Sequence, residues 1–213
     1  MERVTRHPAK FSDNILRAIQ PLIPARGVVL DIFGGTGRLG EICSPIINEL
    51  EFDWCRVAAQ NAPTVCGNAL YLPFANNSVD AIITSPAYGN RMADHHEAKD
   101  GSKRNTYRHA LGKPLQTDNS GAMQWGSQYR QFHYEAWVEA YRVLRENGVL
   151  ILNISNHIRK GVEIHVSEFH TSILKEIGFD ASQFKTITTR RNGFGQNGKS
   201  RVDCEMIIVF AKV

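Results

Sequence analysis

The chain has 213 residues, 42% hydrophobic and 22% charged, with a formal net charge of +4. That length suits one α/β domain with a substantial core and is too short for two comfortable ones, and the composition argues against a globally disordered chain. The mild positive balance permits a polyanionic partner without demanding one.

Pro8-Ala9-Lys10-Phe11 leads into an expected helix from Ser12 to Ile19, capped by Ser12, with Ile15, Leu16 and Ile19 on one face; Pro21 and Pro24 end it. Gly27 to Phe33 reads as a buried strand running into the cluster Gly34-Gly35-Thr36-Gly37-Arg38-Leu39-Gly40. Glycines between a strand and a helix let backbone approach a ligand closely, because no Cβ intervenes. Gly35 to Gly40 matches Gly-x-Gly-x-x-Gly, yet two features argue against a dinucleotide. Asp31 at the strand end would repel a pyrophosphate, and Glu49 comes sooner than the roughly 20-residue spacing of that fingerprint. A carboxylate at Asp31 suits a cationic, amine-bearing ligand instead.

Ile46 to Leu50 is the next expected strand, with Glu49 at its carboxyl end to take both hydroxyls of a ribose and Glu51 as the competing candidate. A helix follows from Phe52 to Ala59. Val65 to Leu70 is a short strand that ends around the polar Asn68 and Ala69, and Val79 to Ile83 is an apolar, β-branched run typical of a buried parallel strand. Directly after it stands Thr84-Ser85-Pro86-Ala87-Tyr88-Gly89-Asn90, in which proline and glycine force the chain out of the sheet at the edge where open α/β sheets bind ligands.

Residues 90–131 are poor in aliphatic side chains and rich in cations with interspersed aromatics, among them Arg91, Lys103, Arg104, Arg108, Tyr107 and Trp125. Such a stretch suits phosphate contact and base stacking. A helix over 134–144, a strand over 149–154, a helix over 166–177 and a closing strand pair over 184–189 and 205–210 complete the pattern. Between the last two, Arg190, Arg191, Lys199 and Arg201 stand among three glycines with no acid, a composition suited to clamping a nucleic-acid backbone. His95 and His96 are neighbours without a third spaced ligand, so no metal is expected. Cys43, Cys55, Cys66 and Cys204 form no Cys-x-x-Cys pair, which points to reduced thiols in a cytosolic protein. No apolar run reaches membrane-spanning length, so no membrane partner is expected.

Ser85-Pro86-Ala87-Tyr88 resembles the Ser-Pro-Pro-Tyr signature of the amino-methylating DNA methyltransferases, with Ala87 where that family has its second proline. Asp31-x-Phe33-x-Gly35-x-Gly37 is similar to the family's first motif, and His7-Pro8-Ala9-Lys10-Phe11 to the segment that lies against the methionine end of S-adenosylmethionine. Asn68 stands where the family has an aspartate on the adenine amine, and its amide oxygen can still accept from that amine. The resemblance covers essentially the whole chain. It implies a class I S-adenosylmethionine-dependent, Rossmann-like α/β fold in one domain, 1–213, with a mostly parallel sheet and an antiparallel last strand. It also implies S-adenosylmethionine as cofactor, held by Pro8, Lys10, Phe11, Asp31, Phe33, Gly35, Gly37, Glu49, Asn68 and Ala69.

The Ser-Pro-x-Tyr form is usual among enzymes that methylate cytosine N4, with adenine N6 the other family target. An exocyclic amine is a poor nucleophile because its lone pair is delocalised into the ring. The expected chemistry is direct transfer to a base flipped from the duplex, the Ser85 hydroxyl and Pro86 carbonyl accepting the amine hydrogens and Tyr88 stacking on the ring. RNA amino-methylation at guanine N2 or adenine N6, and a non-catalytic DNA-binding subunit, are the alternative readings. Without a separate recognition domain, target choice falls to the two basic loops, to a homodimer or to a partner protein.

Overall fold

The computed structural model describes residues 7–93, 106–189 and 202–213. Its strands are β1 (Val29–Asp31), β2 (Ile46–Glu49), β3 (Thr64–Cys66), β4 (Val79–Thr84), β5 (Leu144–Ile154), β6 (His157–Arg159), β7 (Val162–Ile164), β8 (Phe179–Thr188) and β9 (Cys204–Lys212). The α-helices are α1 (Asp13–Ile19), α2 (Phe52–Ala58), α3 (Tyr107–Leu111), α4 (Ser127–Val143) and α5 (Val166–Ile177). Seven strands form one sheet in the order β3-β2-β1-β4-β5-β9-β8, while β6 and β7 make a separate hairpin. Contacts from β3 through β5 are parallel, and β9 is antiparallel to both its neighbours. This is the expected mostly parallel sheet with an antiparallel last strand.

The strand sequences explain why both faces are covered. In β4, Ala81 and Ile83 point to one side and Ile82 to the other; in β5 Ile151 opposes Leu150 and Leu152; in β9 Ile207 and Val209 oppose Ile208 and Phe210. With apolar side chains on both faces, such strands are stable only when helices cover both. One face meets Ile15, Leu16 and Ile19 of α1, which starts where the Ser12 hydroxyl accepts from the Ile15 N–H. The other meets α4 and α5 through Tyr129, Phe132, Trp137, Val166 and Leu174, all buried. Each large apolar side chain so buried contributes about 1.5–3 kcal/mol.

Several elements differ from the sequence expectation. The helix after the glycine cluster is only a 3-10 turn, Arg38–Glu41. The long helix begins at Ser127 rather than 134, after Gly126, and β5 begins at Leu144 rather than 149, so that Glu146, Asn147 and Gly148 belong to it. Asn147 takes a left-handed φ of 60° there. The hairpin β6–β7 has no counterpart in the expected pattern. Among the described residues no helix is long and apolar enough to cross a membrane.

Because β2 and β3 extend one way from β1 and β4 and β5 the other, the chain reverses direction between β1 and β4. At such a switch point the loops leaving the carboxyl ends of adjacent strands part, and a crevice opens between them. Asp31 ends β1 and Thr84 ends β4, so both stand at this crevice.

Candidate active site

The two strand ends are tied by their last residues. Thr84 Oγ1 donates to Asp31 Oδ1 at 2.6 Å, and the Phe33 N–H lies 3.2 Å from each of the two acceptors, Thr84 Oγ1 and Asp31 Oδ1. Asp31 is 2% exposed. Burial pushes its carboxyl up to about 7, against the opposing pull of the Thr84 and Phe33 hydrogen bonds. A cation brought beside this buried carboxyl would favour its ionised form.

Two adjoining cavities open at the crevice, of about 220 and 60 Å³, and His7, Phe33, Ser85 and Tyr107 line both. The larger is bounded by Pro8, Lys10, Phe11, Asp31, Gly34 and Gly35 on one side and by Ser85, Pro86, Tyr88, Asn153 and Glu205 on the other. The smaller is lined by Glu49, Asn68, Ala69 and Asp118. Gly35 has φ of +54°, and a Cβ there would come within 3.3 Å of the His7 ring. That ring also meets Trp54 edge-on at 4.4 Å, and burial lowers its pKa to about 4, so the segment entering from residue 7 is laid across the glycine loop as a neutral imidazole.

Tyr88 is half-buried and faces the larger cavity, so its ring and the glycine loop share one cleft. Its hydroxyl donates to Glu205 Oε2 at 3.2 Å and lies 3.1 Å from Ser85 Oγ. Asn153 Nδ2 donates to the same Glu205 oxygen at 2.7 Å and approaches Ser85 Oγ and Tyr88 Oη at 3.3 and 3.2 Å. Strand register explains the cluster. Thr84 pairs with Leu152, so Asn153 stands one step further, beside Ser85; β9 is antiparallel, so its first residues, Glu205 among them, reach the same edge.

A buried relay from the helices grips the same loop. Trp137 Nε1–H donates to His170 Nδ1 at 2.9 Å, which leaves the His170 proton on Nε2. His170 Nε2 then donates to the Tyr129 hydroxyl at 2.9 Å, and that hydroxyl donates to the Ala87 carbonyl at 2.8 Å. Burial holds His170 well below the ordinary imidazole pKa, which keeps this direction of donation. The Trp125 N–H holds the Gly89 carbonyl at 2.8 Å. With Ala87 where a proline would stiffen the backbone, these bonds supply the constraint from outside the loop.

On the smaller cavity, Glu49 is buried, and its two oxygens accept from the Gly35 N–H at 2.8 Å and the Glu51 N–H at 2.9 Å. Two of about four lone-pair positions remain for a ligand. Burial raises its carboxyl to about 7. Glu51 accepts from the Gln116 N–H and Asn119 Nδ2, both at 2.8 Å, and lines neither cavity. It ties the segment after α3 to the end of β2.

Asn68 departs from its expected use. Its amide oxygen closes a local turn by accepting from the Leu70 N–H at 3.0 Å, and its amide nitrogen donates to Asp118 Oδ2 at 3.3 Å. Gly37 also lines neither cavity: it has φ of +73°, and a Cβ there would meet the Ala58 backbone at 3.0 Å, so its glycine serves packing against α2.

Of the cations expected to touch nucleic acid, Arg108 is exposed on α3. Lys103, Arg104, Arg190, Arg191, Lys199 and Arg201 lie outside the described residues, as does the side chain of Arg91. His95 and His96 lie outside them too. Arg130, which packs over the Trp125 ring at 5.0 Å, is a further exposed cation near Gly89.

A family model described as DNA methylase, covering N6- and N4-directed enzymes, matches residues 79–213. The chain belongs to the N6/N4 DNA methylase family. No curated protein matches it significantly. Solved structures similar to it include an S-adenosylmethionine-dependent methyltransferase from Methanosarcina mazei, 12% identical with a TM-score of 0.60, covering 92% of this chain and 97% of that one. Another is a possible histamine N-methyltransferase from Thermotoga maritima, 18% identical, TM-score 0.52, covering 92% and 86%. A third is a putative RNA methyltransferase from Pyrococcus horikoshii, 17% identical, TM-score 0.55, covering 93% and 81%. At these identities the likeness establishes the fold.

The cofactor of this methylase is S-adenosylmethionine. Its two cavities suit that molecule: the larger offers a buried carboxylate at Asp31 for an ammonium and a cation at Lys10 for a carboxylate, and the smaller offers Glu49 for hydroxyls. The raised carboxyl pKa values make this fit pH-dependent. Below about 7, Asp31 takes up a proton and loses the charge an ammonium needs, and Glu49 takes one up and loses acceptor capacity for hydroxyls, so cofactor affinity should weaken as pH falls from about 8 to about 6. The weakening should approach tenfold per pH unit for each carboxylate that must ionise. Calorimetric titration across that range measures it, and a flat dissociation constant would show that neither carboxylate gains charge on binding.

Proposed function

We propose that this methylase transfers a methyl group from S-adenosylmethionine to an exocyclic base amine of DNA, cytosine N4 in particular, with the base turned out of the duplex. The observation that carries this reading is that Ser85, Pro86 and Tyr88 line one cleft with Asp31 and the glycine loop. When bound there, S-adenosylmethionine supplies an electrophilic methyl group on a positively charged sulfur.

The protein's part is to make a poor nucleophile react. Ser85 Oγ and the Pro86 carbonyl accept the two amine hydrogens and favour a pyramidal nitrogen with its lone pair exposed. Proline at this position fixes φ and so helps aim that carbonyl. The Tyr88 ring, held by its hydroxyl, offers a face on which the base stacks, worth about 1–3 kcal/mol against an unpairing cost of a few kcal/mol. On the cofactor side, Pro8, Lys10 and Phe11 close over the methionine end, Glu49 takes the ribose, Ala69 packs against the adenine, and Asn68 acts jointly with Asp118, whose carboxylate receives the adenine amine. Arg108 and the basic stretches at 91–104 and 190–201 contact the DNA backbone.

Mass spectrometry of nucleosides from DNA and RNA incubated with the protein and cofactor tests this directly. N4-methylcytosine in DNA is the expected product. N6-methyladenine would move the assignment to the other family target, and methylation confined to RNA would overturn it.

A further inference from the structure

We propose that Glu205 is the proton acceptor of the methyl-transfer step, with Asn153 positioning it. This rests on the amino-methylation reading above. Amine methylation has a proton to dispose of: a nitrogen that keeps both hydrogens while gaining a methyl group carries a positive charge. Among the described residues two carboxylates line the larger cavity, Asp31 and Glu205. Asp31 is engaged by Thr84 and Phe33 on the cofactor side. Glu205 stands on the opposite wall, and its Oε2 is within 3.2 Å of the hydroxyl of Tyr88, the residue placed under the base. Asn153 is 1% exposed, donates to Glu205 at 2.7 Å, and has an Oδ1 with no hydrogen-bond partner among the described residues. The Glu205 carboxylate beside the Ser85 hydroxyl gives this wall of the cavity acceptors complementary to a group that brings N–H donors, and Asn153 holds the carboxylate in place from behind.

In the step, the nitrogen lone pair forms the new N–C bond and the S–C bond breaks with its electron pair remaining on sulfur. One N–H proton passes to the Glu205 carboxylate. A neutral amine, a sulfonium and a carboxylate become a neutral methylated amine, a thioether and a carboxylic acid, so charge and atoms balance. Ser85 Oγ and the Pro86 carbonyl hold the two amine hydrogens before transfer, so it is the hydrogen on the Ser85 side, next to the cluster of Tyr88, Asn153 and Glu205, that passes to the carboxylate once the nitrogen gains its methyl group.

The test is single-turnover methylation of DNA by Glu205→Gln. Glutamine keeps an acceptor for Tyr88 but takes no proton, so the rate should fall about 10²-fold or more, with cofactor and DNA dissociation constants within about twofold of wild type. Tyr88→Phe removes the hydroxyl contact and leaves the carboxylate, and should fall by less than about tenfold. Glu205→Ala, the second variant should glutamine disturb folding, should recover rate when formate supplies a carboxylate. An unchanged rate in Glu205→Gln would overturn the proposal. So would equal losses in Glu205→Gln and Tyr88→Phe with no formate rescue, which would reduce Glu205 to a tether for the tyrosine. If wild type methylates DNA and these comparisons fail, only this inference falls; if wild type transfers no methyl group to a base amine, the functional reading falls with it.

Discussion

Asp31→Ala is expected to remove calorimetrically detectable binding of S-adenosylmethionine while leaving the fold intact. The reason lies in what the position costs and gains. Asp31 ends β1 at the crevice, buried, with its carboxyl raised to about 7. A carboxyl whose folded pKa exceeds its unfolded value stabilises the fold only while protonated, so the protein should lose stability from this group as pH rises from about 4 toward 7. Alanine removes that cost along with the charge, which is why the unliganded fold should survive. A cationic ligand then faces a buried site with no counter-charge, and removing one partner of a buried pair costs about 3–5 kcal/mol, roughly two to four powers of ten in affinity. Asp31→Asn separates charge from geometry: it keeps an acceptor for the Thr84 hydroxyl and should still bind poorly. Wild-type affinity in either variant would refute the assignment of this carboxylate to the cofactor.

Asp31 is also a residue whose placement was readable from the chain alone, and the contrast with Glu205 shows why. The apolar runs at Val28-Val29-Leu30 and Ala81-Ile82-Ile83 each lead within a few residues into a glycine or proline, Gly34 and Pro86, so the residues near the sheet's carboxyl edge can be named without any long-range contact. Glu205 opens its strand, and it reaches the same edge only because β9 runs antiparallel between β5 and β8. Its pairing with Tyr88 spans 117 residues. Asn153 had a readable signal, a polar residue near the carboxyl end of a buried strand, but only the β4–β5 register sets it next to Ser85. The early start of α4 was hidden for another reason. Its inner stripe uses Tyr129 and His133, polar aromatics that apolar periodicity does not count, yet both are fully buried. Asn68 shows the opposite failure, because a residue at the right place spends its amide on a turn and on Asp118.

Tyr88→Ala is expected to lose about two powers of ten or more in the rate of methyl transfer, with cofactor affinity kept within about twofold. The ring does two jobs that alanine cannot do. On the proposed reading it offers the face for the flipped base, and stacking on an aromatic is worth about 1–3 kcal/mol, comparable to what it costs to leave the duplex. It also links the Ser85 hydroxyl to Glu205 and Asn153 through bonds of 3.1 and 3.2 Å, so its loss leaves Asn153 alone to hold Ser85 and Glu205. A misplacement of about 1 Å in such a site costs about 10²-fold on its own. The cofactor contacts should be untouched, since Asp31 and Gly35 hang on β1 and Glu49 on β2, and the backbone at 87 and 89 stays clasped by Tyr129 and Trp125. Comparing single-turnover transfer with calorimetric cofactor binding in the same variant therefore distinguishes a base-holding tyrosine from one that merely fills the cleft. Equal losses in both measurements would mean that the ring supports the cofactor site, and the stacking role would have to be given up.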